Sequence, residues 1–205
     1  MHFLKTFSKS ATSNYLESFK QDEVELVSFD FFDTLVFRKS VTHYRLWKNQ
    51  SKSFFVARSC AEIIARIKGR LNGIPEVTGA EIYSNLLTGL GYRGEFEFEA
   101  EKSNLVANIE TTSFLKELLE SNVKVCIISD THYTQAQIEK FMDFLGIPLV
   151  PVFTSEKFLQ TKSTGLFEKV SKSLDVTYEN WVHIGDNPKS DIESANSLGI
   201  STLQY

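Results

Sequence analysis

The residues best placed to do chemistry are two sets of carboxylates that follow apolar runs. In Val24-Glu25-Leu26-Val27-Ser28-Phe29-Asp30-Phe31-Phe32-Asp33-Thr34-Leu35-Val36 a hydrophobic stretch stops on Asp30, turns, and offers Thr34 four residues later. Far downstream, Trp181-Val182-His183-Ile184 runs into Gly185-Asp186-Asn187-Pro188-Lys189-Ser190-Asp191. A buried strand ending in Asp places that side chain at the carboxyl edge of a sheet, where open α/β folds collect ligands. If both runs lie in one sheet, Asp30 and Asp186 meet at that edge, and the pair suggests a shared divalent metal. Each residue also has an ordinary reading. Asp30 could be a strand-end turn residue, and Asp186 a helix N-cap, because Pro188 suits the first turn of a helix.

The elements that must position these groups are legible as alternating patterns. Short β-branched runs at 123–128, 149–153, 181–184 and 200–203 are separated by stretches with apolar residues at helical spacing, 134–145, 164–174 and 189–198. Gly146 and Gly199 sit just past two of those helices, as C-terminal stops do. Strands alternating with helices predict right-handed crossovers and a parallel sheet, with 24–29 as a further, central strand. The fold expected is doubly wound α/β. From 37 to about 109 the alternation stops and four helices are predicted, at 42–55, 57–70, 79–87 and 95–108. Thr78 and Glu81 form a capping-box pattern at the start of the third. A helical insertion directly after the first strand would stand over that strand's end as a lid. The domain plan is therefore a helical extension at 1–22, a core of 23–37 and 110–205, and a helical cap at 38–109.

Composition narrows the function classes. With 22 basic and 26 acidic residues the net charge is −4, which gives no electrostatic reason to expect nucleic acid or an anionic membrane as partner. No apolar segment approaches the roughly 18 residues that cross a bilayer, and the polar start Met1-His2-Phe3-Leu4-Lys5 is unlike a signal peptide. Cys60 and Cys126 lack metal-type spacing, and Cys126 lies in an apolar run as a small buried thiol. A reducing cytoplasm is the expected compartment.

Taken in order, these motifs resemble the haloacid dehalogenase superfamily, dominated by phosphatases and phosphotransferases with an Asp nucleophile and Mg²⁺. The resemblance runs from about 24 to 199. Asp30 is similar to the nucleophile of the first motif. Ser129, ending Val125-Cys126-Ile127-Ile128, resembles the phosphate-binding hydroxyl of the second; Lys162, in Thr161-Lys162-Ser163-Thr164-Gly165-Leu166-Phe167, resembles the basic third; Asp186 and Asp191 fill the acidic fourth. More narrowly, Phe-Asp-Phe-Phe-Asp-Thr-Leu-Val, Ile-Ser-Asp-Thr-His-Tyr and His-Ile-Gly-Asp-Asn-Pro-Lys-Ser-Asp resemble a bacterial subgroup associated with glycosyltransferases and surface-polysaccharide loci. The series Arg58, Glu62 and Arg66 resembles that subgroup too, although its spacing equally describes a solvated helix face with ordinary ion pairs.

The resemblance implies a site. Asp30, the backbone carbonyl of Phe32, Asp186 and Asp191 would serve Mg²⁺, with Asp191 acting on bound water or orienting Lys162. Thr34, Ser129, Asp130 and Lys162 would contact the phosphorylated substrate, and Lys162 would offset transition-state charge. The implied activity is Mg-dependent hydrolysis of a small phosphorylated metabolite such as a sugar or polyol phosphate through an aspartyl-phosphate, with association to a glycosyltransferase as a further implication. One position departs from the pattern. Where phosphatases of this superfamily carry a second Asp that protonates the leaving group, this chain has Phe32. Asp33 sits where a turn commonly takes Gly. His132, beyond the second motif, is the expected substitute acid–base group, with His43 a weaker candidate, while His183 lies within a strand. Tyr44, Arg45, Arg58 and Arg66 are possible substrate contacts from the insertion.

Phe32 leaves two rivals open. One is a catalytically weak or inactive module that binds a phosphorylated ligand or a partner enzyme. The other is a metal-independent dehalogenase, disfavoured because the chain keeps Asp186 and Asp191, whose charges would be costly side by side without a cation.

Overall fold

The computed structural model describes residues 24–39, 52–86 and 94–205. The expected N-terminal extension, most of the helix expected at 42–55, His43, Tyr44 and Arg45 lie outside them. Five strands form one parallel sheet in the order β5-β4-β1-β6-β7, with β1 at Leu26–Phe29, β4 at Lys124–Ser129, β5 at Val152–Thr154, β6 at Trp181–Gly185 and β7 at Ser201–Gln204. The fold is thus the doubly wound α/β arrangement expected, with β1 central. From β1 the chain builds outward through β4 and β5 on one side and then crosses to β6 and β7 on the other. The switch point, where such sheets bind ligands, lies at the end of β1.

Both sheet faces are covered, which is why these strands read as nearly continuous apolar runs. Successive side chains point to opposite faces. Val27, Phe29, Val125, Ile127, Val182 and Ile184 pack with Phe114, Leu115, Leu118, Phe141 and Met142. Leu26, Cys126, Ile128 and Trp181 pack with Leu166, Phe167, Val170 and Ala195 on the other. The buried Cys126 fills space there as a small apolar group. Helix Gln135–Leu145 starts with a Thr134–Gln137 capping box and stops at Gly146, whose φ of 66° is the left-handed conformation that ends helices.

The departures from the sequence expectation lie between Val36 and Glu120. The helix expected to run to 108 ends at Asn104, and Leu105–Ala107 (β3) pairs antiparallel with Val36–Arg38 (β2). The segment therefore leaves and re-enters the core across a short two-stranded ribbon. Next comes an unanticipated helix, Ile109–Glu120, capped by the Asn108 side chain on Glu110 N–H and burying Phe114, Leu115 and Leu118. Within the insertion, Lys52–Leu71 forms one helix, and Gly79–Ser84 begins with the expected Thr78–Glu81 capping box. Among the described residues no helix is long and apolar enough to cross a membrane.

Candidate functional site

Parallel pairing brings the expected groups to one edge. Phe29 is in register with Ile127 of β4 and Ile184 of β6, so Asp30, Ser129 and the Gly185-Asp186 step leave the sheet side by side. Asp30 N–H is fixed by the Ile184 carbonyl at 2.8 Å. The turn that follows is closed by Leu35 and Val36 N–H on the Phe31 carbonyl and by Asp33 N–H on the Val36 carbonyl. The Phe32 carbonyl accepts none of these bonds. Asp33 takes φ 61°, the left-handed conformation a glycine would adopt there. Its side chain is exposed and faces Arg38 at 3.5 Å.

Lys162 occupies the centre. Its Nζ donates at 2.5 Å to Asp30 Oδ1 and at 2.5 Å to Asp191 Oδ1, and the lysine is 2% exposed. Against the burial that disfavours its charge, the two carboxylates hold its pKa above the usual range. Asp191 Oδ2 accepts the Asn187 N–H at 2.9 Å, and His183 Nε2 lies 3.4 Å from Oδ1. Although burial opposes it, the His183 contact and the Lys162 charge keep Asp191 well below the carboxylate range. Asp30 behaves oppositely. Burial pushes it up to about 7, with Lys162 counteracting and the Asp191 charge adding to the rise. Of Asp30's oxygens, Oδ2 takes no hydrogen bond among the described residues.

Asp186 is free of the capping duty its position allows, because the Asn187 side chain caps the next turn, accepting from Lys189 N–H at 2.9 Å and Ser190 N–H at 3.2 Å. That turn, Pro188–Glu193, is wound wider than an α-helix, a form that recurs at functional sites. The wide turn carries Asp191 back over Gly185, where a Cβ would stand 2.4 Å from Asp191 Cγ. Only glycine fits beneath that carboxylate. Burial raises Asp186, and the charges of Asp191 and Asp33 raise it further. One carboxylate oxygen from each of Asp30, Asp186 and Asp191 lies within 4.8 Å of the others. Three carboxylates against one lysine, all hard oxygen donors, match what Mg²⁺ prefers. Both Asp191 oxygens are taken, Oδ1 by Lys162 and His183 and Oδ2 by the Asn187 N–H, so Asp30 Oδ2 and Asp186 are the groups that could hold an ion.

The other expected residues divide. Ser129 stands buried at the end of β4, beside Asp30. Asp130, expected against substrate, instead accepts the Lys162 N–H at 2.9 Å and anchors the lysine's loop. The Thr34 hydroxyl is buried without a hydrogen-bond partner among the described residues, while its carbonyl accepts from Asn108 at 2.7 Å and Thr111 at 2.8 Å. His132, expected as the substitute acid–base group, turns toward the cap: its Nε2 lies 3.1 Å from Glu97 Oε1 and 3.5 Å from Arg58 Nη2. No hydrogen bond joins it to the Asp30 cluster.

Arg58 corrects the reading of a solvated face, being 0% exposed with a bidentate pair to Glu97 at 2.7 and 3.1 Å. Glu62 links it to Arg66, which reaches Glu76 at 3.0 Å. Glu76 in turn accepts from Ser155 Oγ at 3.1 Å, and Ser155 Oγ accepts the Thr131 N–H at 2.8 Å. These ion pairs lie within residues 58–97, and the Ser155–Glu76 hydrogen bond and the His132–Glu97 contact join that segment to the residues after β4 and β5. The Arg58–Glu62 and Glu62–Arg66 pairs follow the four-residue spacing seen in the sequence, whereas nothing local points to Glu97, 39 residues from Arg58.

Phe32 rests edge-on against Phe31 at 5.0 Å between ring centroids and near Tyr133 at 6.0 Å, with the Arg38 guanidinium 4.6 Å above its ring. Arg38 is itself held by Glu101 at 2.6 Å. The place of the missing acid is therefore an aromatic packed beneath an arginine.

A family model described as haloacid dehalogenase-like hydrolase matches residues 90–204, more than half of the chain. The chain belongs to that family. Among solved structures, this haloacid dehalogenase-like hydrolase resembles a family enzyme from Bacteroides thetaiotaomicron crystallised with magnesium and inorganic phosphate. The TM-score is 0.63 and the identity 16%, covering 88% of this chain and 93% of that one. It also resembles L-2-haloacid dehalogenase from Xanthobacter autotrophicus, at TM-score 0.63 and 16% identity over 88% of this chain and 77% of the other. A third is 2-haloacid dehalogenase from Pseudomonas syringae pv. Tomato DC3000, at TM-score 0.55 and 15% identity over 89% and 86%. At such identities the likeness establishes the fold alone. No curated protein sequence matches the chain.

Proposed function

We propose that this hydrolase is a Mg²⁺-dependent phosphatase that transfers a phosphoryl group from a small metabolite, such as a sugar or polyol phosphate, to Asp30 and then to water. The observation that carries the reading is Lys162 Nζ bound to both Asp30 and Asp191 at 2.5 Å, beside an Asp186 that no capping role occupies. Asp30, Asp186 and the Phe32 carbonyl would hold the ion, which when bound supplies positive charge between two anionic reactants. Asp30 Oδ2 attacks phosphorus as the leaving oxygen departs, giving an aspartyl-phosphate. Lys162 and Ser129 steady the phosphoryl oxygens. The polysaccharide-associated motifs favour a sugar phosphate as substrate and a glycosyltransferase as neighbour in the same process.

Phe32 favours a second reading, a ligand-binding module with little turnover. General acid–base help is worth roughly 10²–10⁴-fold, and Phe32 offers none. Dehalogenation is a third reading; the Asp186–Asp191 pair weighs against it. Steady-state assay with Mg²⁺ against a panel of sugar and polyol phosphates separates them. Turnover that vanishes with chelator and in Asp30→Asn supports the phosphatase; phosphate-ester binding without turnover supports the module; halide release from 2-haloacids without metal supports the dehalogenase.

A further inference from the structure

Behind Asp191 lies a buried polar chain that the reaction as described does not use. Ser28 of β1 and His183 of β6 are register partners in the middle of the sheet, and both are fully buried. Trp181 Nε1 lies 2.7 Å from Ser28 Oγ, Ser28 Oγ lies 2.7 Å from His183 Nδ1, and His183 Nε2 lies 3.4 Å from Asp191 Oδ1. Burying three polar side chains in a sheet interior is costly unless each is satisfied.

The donors fix the direction of the chain. An indole N–H can only donate, so Ser28 Oγ accepts from Trp181 and has its own proton to give. The described acceptor for that proton is His183 Nδ1. Nε2 then carries the ring's hydrogen and faces the Asp191 carboxylate. The reverse tautomer would strand the Ser28 hydroxyl proton and set a bare Nε2 against a carboxylate oxygen.

We infer that His183 is a positioning residue for phosphoryl transfer: fixed as its Nε2–H tautomer by Trp181 and Ser28, it holds Asp191 oriented on Lys162. Its catalytic consequence rests on the phosphatase reading above. The Asp191 carboxylate receives Lys162 and His183 on Oδ1 and Asn187 N–H on Oδ2. Gly185 walls it from below. Loss of the His183 donor frees the carboxylate to rotate and lets Lys162 drift from the phosphoryl oxygens. Partners that orient a site's ligands in this way are typically worth about 10- to 100-fold in activity.

Two measurements on the full chain test this. In protein labelled with ¹⁵N-histidine, long-range ¹H–¹⁵N correlation at neutral pH should give His183 a protonated Nε2 and a bare Nδ1, with the signal assigned by its loss in His183→Gln. The opposite tautomer, or an imidazolium, overturns the inference. In the assay, p-nitrophenyl phosphate with Mg²⁺ serves as probe. His183→Leu should lower kcat by about 10- to 100-fold with KM little changed, whereas His183→Gln, whose amide keeps an N–H toward Asp191, restores most of it. A folded His183→Leu with wild-type kcat, or equal losses in both variants, contradicts it. Should His183→Leu fail to fold, Ser28→Ala takes its place, with loss of the Nε2–H tautomer expected and an unchanged tautomer contrary. A wild type inert toward p-nitrophenyl phosphate and toward the sugar and polyol phosphate panel refutes the phosphatase reading alone, and the tautomer then decides the relay.

Discussion

Lys162 Nζ stands 2.5 Å from Asp30 Oδ1, so the residue proposed to attack phosphorus is already paired with the residue proposed to balance the transition state. The pair depends on sequence-distant anchors. Asp130 fixes the lysine's backbone, Asp191 takes its second hydrogen bond, and Ile184 fixes the backbone of Asp30. This leaves Asp30 Oδ2 as the open oxygen, with burial holding the carboxyl at about 7.

That raised value couples metal binding to protons. A cation bound at Asp30 needs the ionised carboxylate, so Mg²⁺ affinity should climb as pH rises through about 7 and level off above it. Calorimetry in two buffers of different ionisation heat should detect a proton released on binding below that value and none well above it. Asp30→Asn should abolish the released proton. An affinity independent of pH across this window would contradict the environment assigned to Asp30.

Phe32→Asp should raise turnover. A carboxylate introduced at the aromatic position can serve as acid and base, a role worth roughly 10²–10⁴-fold, and Arg38, 4.6 Å above the present ring, would remain as a neighbour. The expected gain in kcat is about 10²-fold, at some loss of stability from packing against Phe31 and Tyr133. Unchanged kcat in a folded variant would show that hydrolysis is limited elsewhere.

Glu97→Ala should destabilise the chain by about 1–3 kcal/mol, because it removes the bidentate partner of the fully buried Arg58 guanidinium and leaves Glu62 as its carboxylate partner among the described residues. Tyr83 and His132 lose the same partner. Urea unfolding reads the change directly, and the double variant Arg58→Leu/Glu97→Leu should recover part of it. A loss below about 1 kcal/mol would mean that the pair behaves as a surface salt bridge.

Much of the core was legible before the structure because its signals are local. Apolar runs ending on Asp30, Ser129 and Asp186 are strands whose ends share an edge, and Gly146 and the Thr78–Glu81 box mark helix boundaries where they fall. What stayed hidden depends on partners far apart in the chain. The β2–β3 ribbon pairs three-residue strands from either side of the insertion, too short for any periodicity to register. The helix Ile109–Glu120 has its apolar spacing in Phe114, Leu115 and Leu118, a short signal beside the longer runs of the core. His132 looked like a loop imidazole beside a phosphate site, but its partner Glu97 comes from the cap. Nothing local reveals that the Lys162 loop folds onto Asp130.

Tyr133→Phe should leave stability unchanged or raise it by up to about 1 kcal/mol, since the buried hydroxyl has no hydrogen-bond partner among the described residues and its desolvation is uncompensated there. Thermal unfolding checks this. A fall of more than about 1 kcal/mol would reveal a partner for the hydroxyl.

The most direct test of phosphoryl transfer at Asp30 is a crystal structure of the full chain grown with Mg²⁺ and beryllofluoride. The expected result is beryllium bonded to Asp30 Oδ2, Lys162 against the fluorides, and one ion shared by Asp30, the Phe32 carbonyl and Asp186. An unmodified Asp30, or an ion that Asp30 and Asp186 do not share, would contradict it.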